Sequence, residues 1–384
     1  MQRISISMIL ILFWLPWATT QPCLPEGIEL SSQAQINNFQ LHHPGCTEIE
    51  GDVSVRGNDI TNLNGLANIT RIEGDLWICY NPVLTSLSGL GNLTFVGGNL
   101  SLGDRNYTGQ PWNPSLQNIN ALIKLEHIGG DLELYNNTSL ISLEGLNNLE
   151  SVGGDMLIGG NIQISDLHGL NNLGSIGASL LIDVNHSLNK LTGLDKLSSV
   201  GGSLGIYNNP SLSSLSGLNN LQDINGNLWI EKNEQIVNLS GLGNLGAGSI
   251  LNLSISENSS LSSCEVKSIC DYLQAPGGTV EIANNATGCN NRDEVEIDCE
   301  DISVDENTLE STVILYPNPA TDELNISAEG YGSLKLGIYS PAGQLLLHER
   351  SVNSPIDISG LRAGMYIVEL TIEGRKIRRK LLVE

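Results

Sequence analysis

Asp166 and His168 stand two residues apart and are of the types that pass a proton; a carboxylate beside an imidazole is a common beginning of acid–base catalysis. Both occupy variable turn positions, where solvated side chains are the ordinary outcome. Glu133 and Glu281 are the carboxylates in a column of repeated positions described below, but they are far apart and have no base beside them. Hydrolysis or elimination on a polysaccharide needs such groups clustered on one surface. No His-Glu-x-x-His or phosphate-binding loop occurs. The acidic run Asp293 to Asp301 lacks the spaced ligands of a calcium loop and reads as solvated linker. The spacing of Cys79 to other Cys and His fits no zinc pattern. The residue types that carry chemistry thus predict no catalytic site, no metal and no cofactor.

The elements that position these residues are repeats. The motif Gly-Leu-x-Asn-Leu recurs from Gly65 to Leu245, with leading leucines at 66, 90, 122, 146, 170, 194, 218 and 242. Every step is 24 residues except one of 32, which holds an eight-residue insertion between Leu102 and Asn113; the stretch Gly103 to Trp112 covers it. Register kept over eight copies marks a solenoid. A second signature, Gly-Asp-Leu-x-Ile and then Asn, has strand alternation, as in Asp75-Leu76-Trp77-Ile78 with Asn81. Glycine before the strand supplies a bend, and Asn tolerates unusual φ while bonding locally. Asn58, Asn81, Asn113, Asn137, Asn161, Asn185, Asn209, Asn233 and Asn258 should therefore stack as an amide ladder. With no helical periodicity inside the repeats, the fold class expected is all-β: a right-handed parallel β-helix, about 24 residues per coil, followed by a small β-sandwich. Leu140, Leu143, Leu146, Leu149, Val152, Met156 and Ile158 illustrate the inward set of one coil.

Met1 to Thr20 reads as a Sec-type signal peptide, with Arg3, an apolar stretch Ile4 to Trp17 and the small residues Ala18-Thr19-Thr20. That stretch is short for a membrane span and no other segment is long enough, so no membrane span is expected. Export predicts disulfides. Cys23 and Cys46 pair, closing a loop worth about 3 kcal/mol; Cys264, Cys270, Cys289 and Cys299 allow three pairings, and Cys79 is left over. The organisation read from the chain is a signal peptide over 1–20, an N-terminal cap over 21–50 and leucine-rich repeats over 51–262. A Cys-rich cap follows over 263–300, with an amphipathic helix Glu265 to Leu273 and a last strand Thr279 to Ile282. An acidic linker over 301–312 leads to a small all-β domain over 313–384. That domain has eight basic and eight acidic residues, so the net charge of −24 lies wholly before it.

On these motifs the repeats resemble the receptor L-domain type of leucine-rich solenoid, a family that includes receptor ligand-binding lobes and bacterial surface proteins. The resemblance implies a β-helix with a role in recognition or envelope structure. The tail, with Tyr316-Pro317-Asn318-Pro319-Ala320-Thr321-Asp322, Gly360-Leu361-Arg362-Ala363-Gly364-Met365-Tyr366 and the basic strand Lys376 to Lys380, resembles the C-terminal sorting domain of the type IX secretion system of Bacteroidetes. This second resemblance implies Tyr316, Pro317, Asn318, Pro319, Gly360, Leu361, Gly364 and Tyr366 as the sorting motif. The translocon and its sortase would be partners, and the protein would pass through the periplasm to the outer surface or medium.

The net charge of −24 argues against nucleic acid, which repels an acidic chain. The outward column of the repeated strand is Ser54, Trp77, Ser101, Glu133, Leu157, Leu181, Gly205, Trp229, Ser254 and Glu281. Trp77, Leu157, Leu181 and Trp229 in it, with Tyr135 and Tyr207 further along their strands, are the candidate contact residues for a glycan or protein ligand. The two tryptophans stand six rungs apart, about 29 Å, too far for one stripe. The insertion around Arg105 to Trp112 is a second candidate. The function expected is non-catalytic recognition or adhesion; the alternative is a secreted polysaccharide lyase or hydrolase.

Overall fold

The computed structural model describes residues 22–103, 112–302, 313–328, 334–340, 345–349, 355–372 and 375–383. The expected signal peptide, most of the 301–312 linker and the body of the insertion, 104–111, lie outside the described residues. Two units form, residues 1–295 and 296–384.

The first unit is a parallel β-helix. Two-residue strands, from Pro22–Cys23 to Asp223–Ile224, stack into a nine-stranded sheet, and longer strands, from Ile28–Leu30 to Val280–Ala283, stack into one of eleven. Ten spacings of about 4.8 Å give the longer sheet a length near 48 Å. The third side is closed by short turns, such as Leu146 N–H on Leu143 O (3.1 Å) and Leu149 N–H on Leu146 O (2.9 Å). Leu140, Leu143, Leu146, Leu149, Val152, Met156 and Ile158 all point into the coil and are buried. At about 1.5–3 kcal/mol per aliphatic side chain this burial drives stacking, provided that neighbouring coils cover both ends.

The glycine of Gly-Leu-x-Asn-Leu has a steric cause. Gly145 sits at φ +119°, and a Cβ there would lie 2.1 Å from the carbonyl oxygen of Ile119 in the preceding coil. The motif's asparagine clamps the same coils together: Asn148 Nδ2 donates to Ile123 O (2.7 Å) and Asn172 Nδ2 to Asn147 O (2.6 Å).

The buried amide ladder runs from Asn81 to Asn285. Asn161 is typical: its Nδ2 donates to Leu134 O in the previous coil (2.7 Å), and its backbone N–H donates to Asn185 Oδ1 in the next (3.1 Å). Asn58 does not belong. It is exposed, and Gly57 N–H meets Asn81 Oδ1 (3.0 Å) in its place, so the ladder in that coil falls one residue earlier, on a residue without an amide. Nor does the ladder asparagine take the unusual φ. The residue before it does, at Tyr80, Asn136, Gly160, Val184, Asn208, Lys232, Glu257 and Asn284. A left-handed residue there turns the chain so that the next side chain enters the interior; Val184 at φ +57° is a costly β-branched case.

Both ends continue the coil. The segment read as an N-terminal cap already contributes to both sheets, through Pro22–Cys23 and Ile28–Leu30, with helices Gln33–Asn37 and Phe39–His42 burying Ile36 and Phe39. Cys23 and Cys46 are joined. At the other end the helix is Lys267–Gln274, the last strand is Val280–Ala283, and Cys264 pairs with Cys289. Cys270 and Cys299 are also disulfide-bonded. The acidic run read as linker is helical instead, over Arg292–Ile302. Its start is fixed by Glu294, whose carboxylate accepts from Gly288 N–H (2.7 Å) and Asn290 N–H (3.1 Å).

The second unit contains an antiparallel sandwich. Val313–Tyr316, Glu323–Ala328 and Ile356–Asp357 form one sheet; Leu345–Glu349, Leu334–Tyr339, Gly364–Ile372 and Arg375–Val383 form the other. Leu324, Leu336, Ile338, Val368, Leu370 and Leu381 lie at its core.

Candidate functional site

The outward column of the eleven-stranded sheet is the one expected: Ser54, Trp77, Ser101, Glu133, Leu157, Leu181, Gly205, Trp229, Ser254 and Glu281 pair in succession. A second outward column runs beside it through Tyr135, Gly159, Asp183, Tyr207, Glu231, Ser256 and Ala283. The 24-residue step produces the central part of both, because it returns each residue to the same place one coil later; the insertion and the end coils shift the count but keep the pairing.

Two tyrosines fold flat over glycines. A Cβ on Gly159 would meet the Tyr135 ring at 2.3 Å, and one on Gly205 would meet the Tyr207 hydroxyl at 2.3 Å. Tyr135 then donates to Asp183 Oδ1 (2.6 Å), two coils away. Tyr207 fills the gap at Gly205, so Leu181, Tyr207 and Trp229 form an unbroken row, with the Tyr207 and Trp229 ring centres 6.2 Å apart. All three are half-buried. Of the remaining candidates, Leu157 (2% exposed) and Tyr135 (8%) are buried and present little surface, and Trp77 stands three rungs from Leu157. The structure therefore draws three of the six together. The described end of the insertion, Trp112, is also buried (4%); it packs on Tyr80 at 4.2 Å, and Arg56 lies over that tyrosine at 4.3 Å.

Carboxylates flank the row and are held by hydroxyls: Glu133 accepts from Ser101 Oγ (3.0 Å) and Glu231 from Ser254 Oγ (2.8 Å). Others are occupied structurally. Asp75 accepts from Asn99 N–H (2.6 Å), Asn99 Oδ1 from Asp131 N–H (2.7 Å), Asp131 from Asp155 N–H (2.7 Å) and Asp155 from Ser179 N–H (2.7 Å). This second ladder pins the bend before each long strand. It escaped the sequence reading because Asp, Asn and Ser share the position and any of them accepts the bond; the shared signal is an acceptor directly before the first buried residue of each long strand.

Asp166 and His168 do meet, with Nδ1 2.9 Å from Oδ1, on the strandless side and well exposed. Burial pushes the Asp166 carboxyl up, but the hydrogen bonds and charge of His168 outweigh it and leave it below its ordinary value. Ser165 Oγ bonds Asp166 (3.3 Å) and not the imidazole, so the histidine is not placed to activate that hydroxyl. On the nine-stranded sheet, His127 Nδ1 lies 3.2 Å from Ser151 Oγ on an exposed surface.

In the sandwich, Asn318 ties the motif to the terminal strand: Oδ1 accepts from Leu382 N–H (2.8 Å) and Nδ2 donates to Lys380 O (2.9 Å). The peptide bonds before Pro317 and Pro319 are cis. Tyr366 donates to Arg362 O (2.7 Å), and Leu361 packs against the core, while Tyr316 is exposed. No helix among the described residues is long and apolar enough to cross a membrane.

Comparison with known proteins finds two relatives over short stretches. Beta-agarase D of Zobellia galactanivorans is 36% identical over 70 residues, 18% of this chain and 14% of that protein. The endo-acting ulvan lyase of Formosa agariphila is 33% identical over 90 residues, 22% of this chain and 17% of that protein. The chain thus spans less than a fifth of the length of either curated relative. The family match covers residues 314–384: they are a secretion system C-terminal sorting domain, and the protein that bears them is delivered to the outer surface or the extracellular space.

Proposed function

We propose that the protein is a non-catalytic recognition or adhesion protein whose β-helix, of the receptor L-domain type, is displayed outside the cell after type IX secretion, its tail being read by the translocon and processed by a sortase. The observation that supports binding is the row Leu181, Tyr207 and Trp229, partly exposed side chains drawn together on one face of the longer sheet. A scaffold of stacked coils holds such a row without ordering cost on binding. A glycan array and a cell-adhesion assay on the whole protein test the reading: Trp229→Ala with Leu181→Ser should abolish adhesion while secretion and folding persist.

A second reading, secreted polysaccharide lyase or hydrolase, has one favouring observation. Asp183 and Glu231 occupy the same column two rungs apart, a backbone separation of about 9.6 Å, which compares with the widest carboxylate spacing used in inverting hydrolysis. Tyr207 occupies the rung between them, with its ring over Gly205. The two relatives are named for polysaccharide-degrading activities, over stretches that are a small part of each. Turnover of a polysaccharide that disappears in Glu231→Gln would establish this reading over the first.

A further inference from the structure

The row has a local chemistry of its own. Tyr207 stands between Asp183 and Glu231 in the second outward column, and its ring lies over Gly205 between Leu181 and Trp229. Asp183 Oδ1 is held by the Tyr135 hydroxyl at 2.6 Å and Glu231 Oε1 by Ser254 Oγ at 2.8 Å, so both carboxylates are oriented before any ligand arrives. The bends and strands of these five coils, 129–136, 153–160, 177–184, 201–208 and 225–232, contain five carboxylates (Asp131, Glu133, Asp155, Asp183, Glu231) and one cation, Lys232. The Lys232 ammonium lies 3.8 Å from Glu257. An aromatic floor, apolar walls at both ends and a carboxylate residue on the rung to either side of Tyr207 match the chemistry of a guanidinium or ammonium group with its aliphatic stem.

We propose that this surface takes an arginine or lysine side chain of a partner polypeptide, the cation over the Tyr207 ring, Asp183 and Glu231 as its counter-charges, and Leu181 and Trp229 against its stem and neighbouring residues. The proposal rests on the binding reading above and names the partner. A polypeptide fits better than a sugar because charge complementarity is one-sided here and because Leu181 offers no hydrogen bond to a hydroxyl. Arginine, tryptophan and tyrosine are also the side chains that concentrate binding energy at protein interfaces. The acidic coils steer a basic partner toward the face as well.

Titration calorimetry on the full chain tests this with three probes: a dodecapeptide of alternating arginine and leucine, the same peptide with citrulline in place of arginine, and a neutral hexasaccharide. The arginine peptide should bind, the citrulline peptide should be weaker by about tenfold or more, and the difference should shrink as salt is raised. Asp183→Asn with Glu231→Gln should cost about tenfold, and Tyr207→Ala a similar factor, whereas Tyr207→Phe keeps the ring and should keep affinity. A control that also removes two charges, beside the other sheet, Glu150→Gln with Asp223→Asn, should change affinity less than about twofold. Equal loss in the control, or equal binding of the citrulline peptide, overturns the proposal by assigning the attraction to diffuse charge or to apolar contact. If the hexasaccharide alone binds and Trp229→Ala abolishes it, the proposal fails while the face remains a binding face. If adhesion is indifferent to Leu181, Tyr207 and Trp229, the reading of the face fails too.

Discussion

Replacing Asn185 by alanine isolates what the amide ladder contributes. Asn185 is fully buried, its Oδ1 accepts from Asn161 N–H (3.1 Å), and its Nδ2 donates to Ile158 O (2.9 Å). Alanine removes both partners from groups that water does not reach. Each stranded buried group costs about 1–3 kcal/mol, so the loss should be about 2–6 kcal/mol, before any cavity term. Asn58→Ala is the internal control, since Asn58 is exposed and outside the ladder; its cost should stay within about 0.5 kcal/mol. Aspartate at 185 keeps an acceptor for Asn161 but loses the donor and buries a charge, and should be worse than alanine. Urea denaturation followed by circular dichroism gives the global effect. Because coils couple only to their neighbours, amide hydrogen exchange should show the lost protection concentrated in the coils carrying Asn161, Asn185 and Asn209. Equal stability of Asn185→Ala and Asn58→Ala, or uniform loss of protection along the β-helix, would refute the reasoning.

Gly145→Ala should lower stability by 1 kcal/mol or more, about the least that a left-handed alanine costs, because the added Cβ also meets the Ile119 carbonyl; a thermal melt reads it. The Glu294 carboxyl is held below its ordinary value first by the Asn290 and then by the Gly288 backbone N–H. A depressed folded value means that its contribution is present above the ordinary glutamate range and fades as pH falls through the folded value. Melting temperatures of the wild type and Glu294→Gln should therefore differ at neutral pH and converge in acid. Removing residues 313–384 should leave the protein in the periplasm; arrival at the surface would contradict the role of the tail. Cys264→Ser should loosen the C-terminal coils selectively, read as faster exchange at Asn258 and Asn285, since the bond to Cys289 spans the last turns of the ladder.

The 24-residue period, with the repeated motifs marking where it is broken, fixes which residues share a column, so the inward leucines and the outward row from Ser54 to Glu281 follow from aligning the repeats. The period also supplies the parallel pairing, because a strand that recurs once per coil meets its own copy. The tail's motifs carry their destination in the same direct way, as a pattern of prolines, glycines and tyrosines. Tertiary structure decided matters that depend on atoms 24 or 48 residues away. Tyr135 reaches Asp183 because Gly159, one coil on, leaves its ring somewhere to lie, a fact about neighbouring coils that no local pattern holds. The acceptor ladder from Asp75 to Ser179 is defined by hydrogen-bonding capacity, which several residue types share, so it leaves no single letter to count. Asn58 shows the converse: the right residue type, one position out of place, is solvated because the bend of its coil puts Gly57 beneath Asn81.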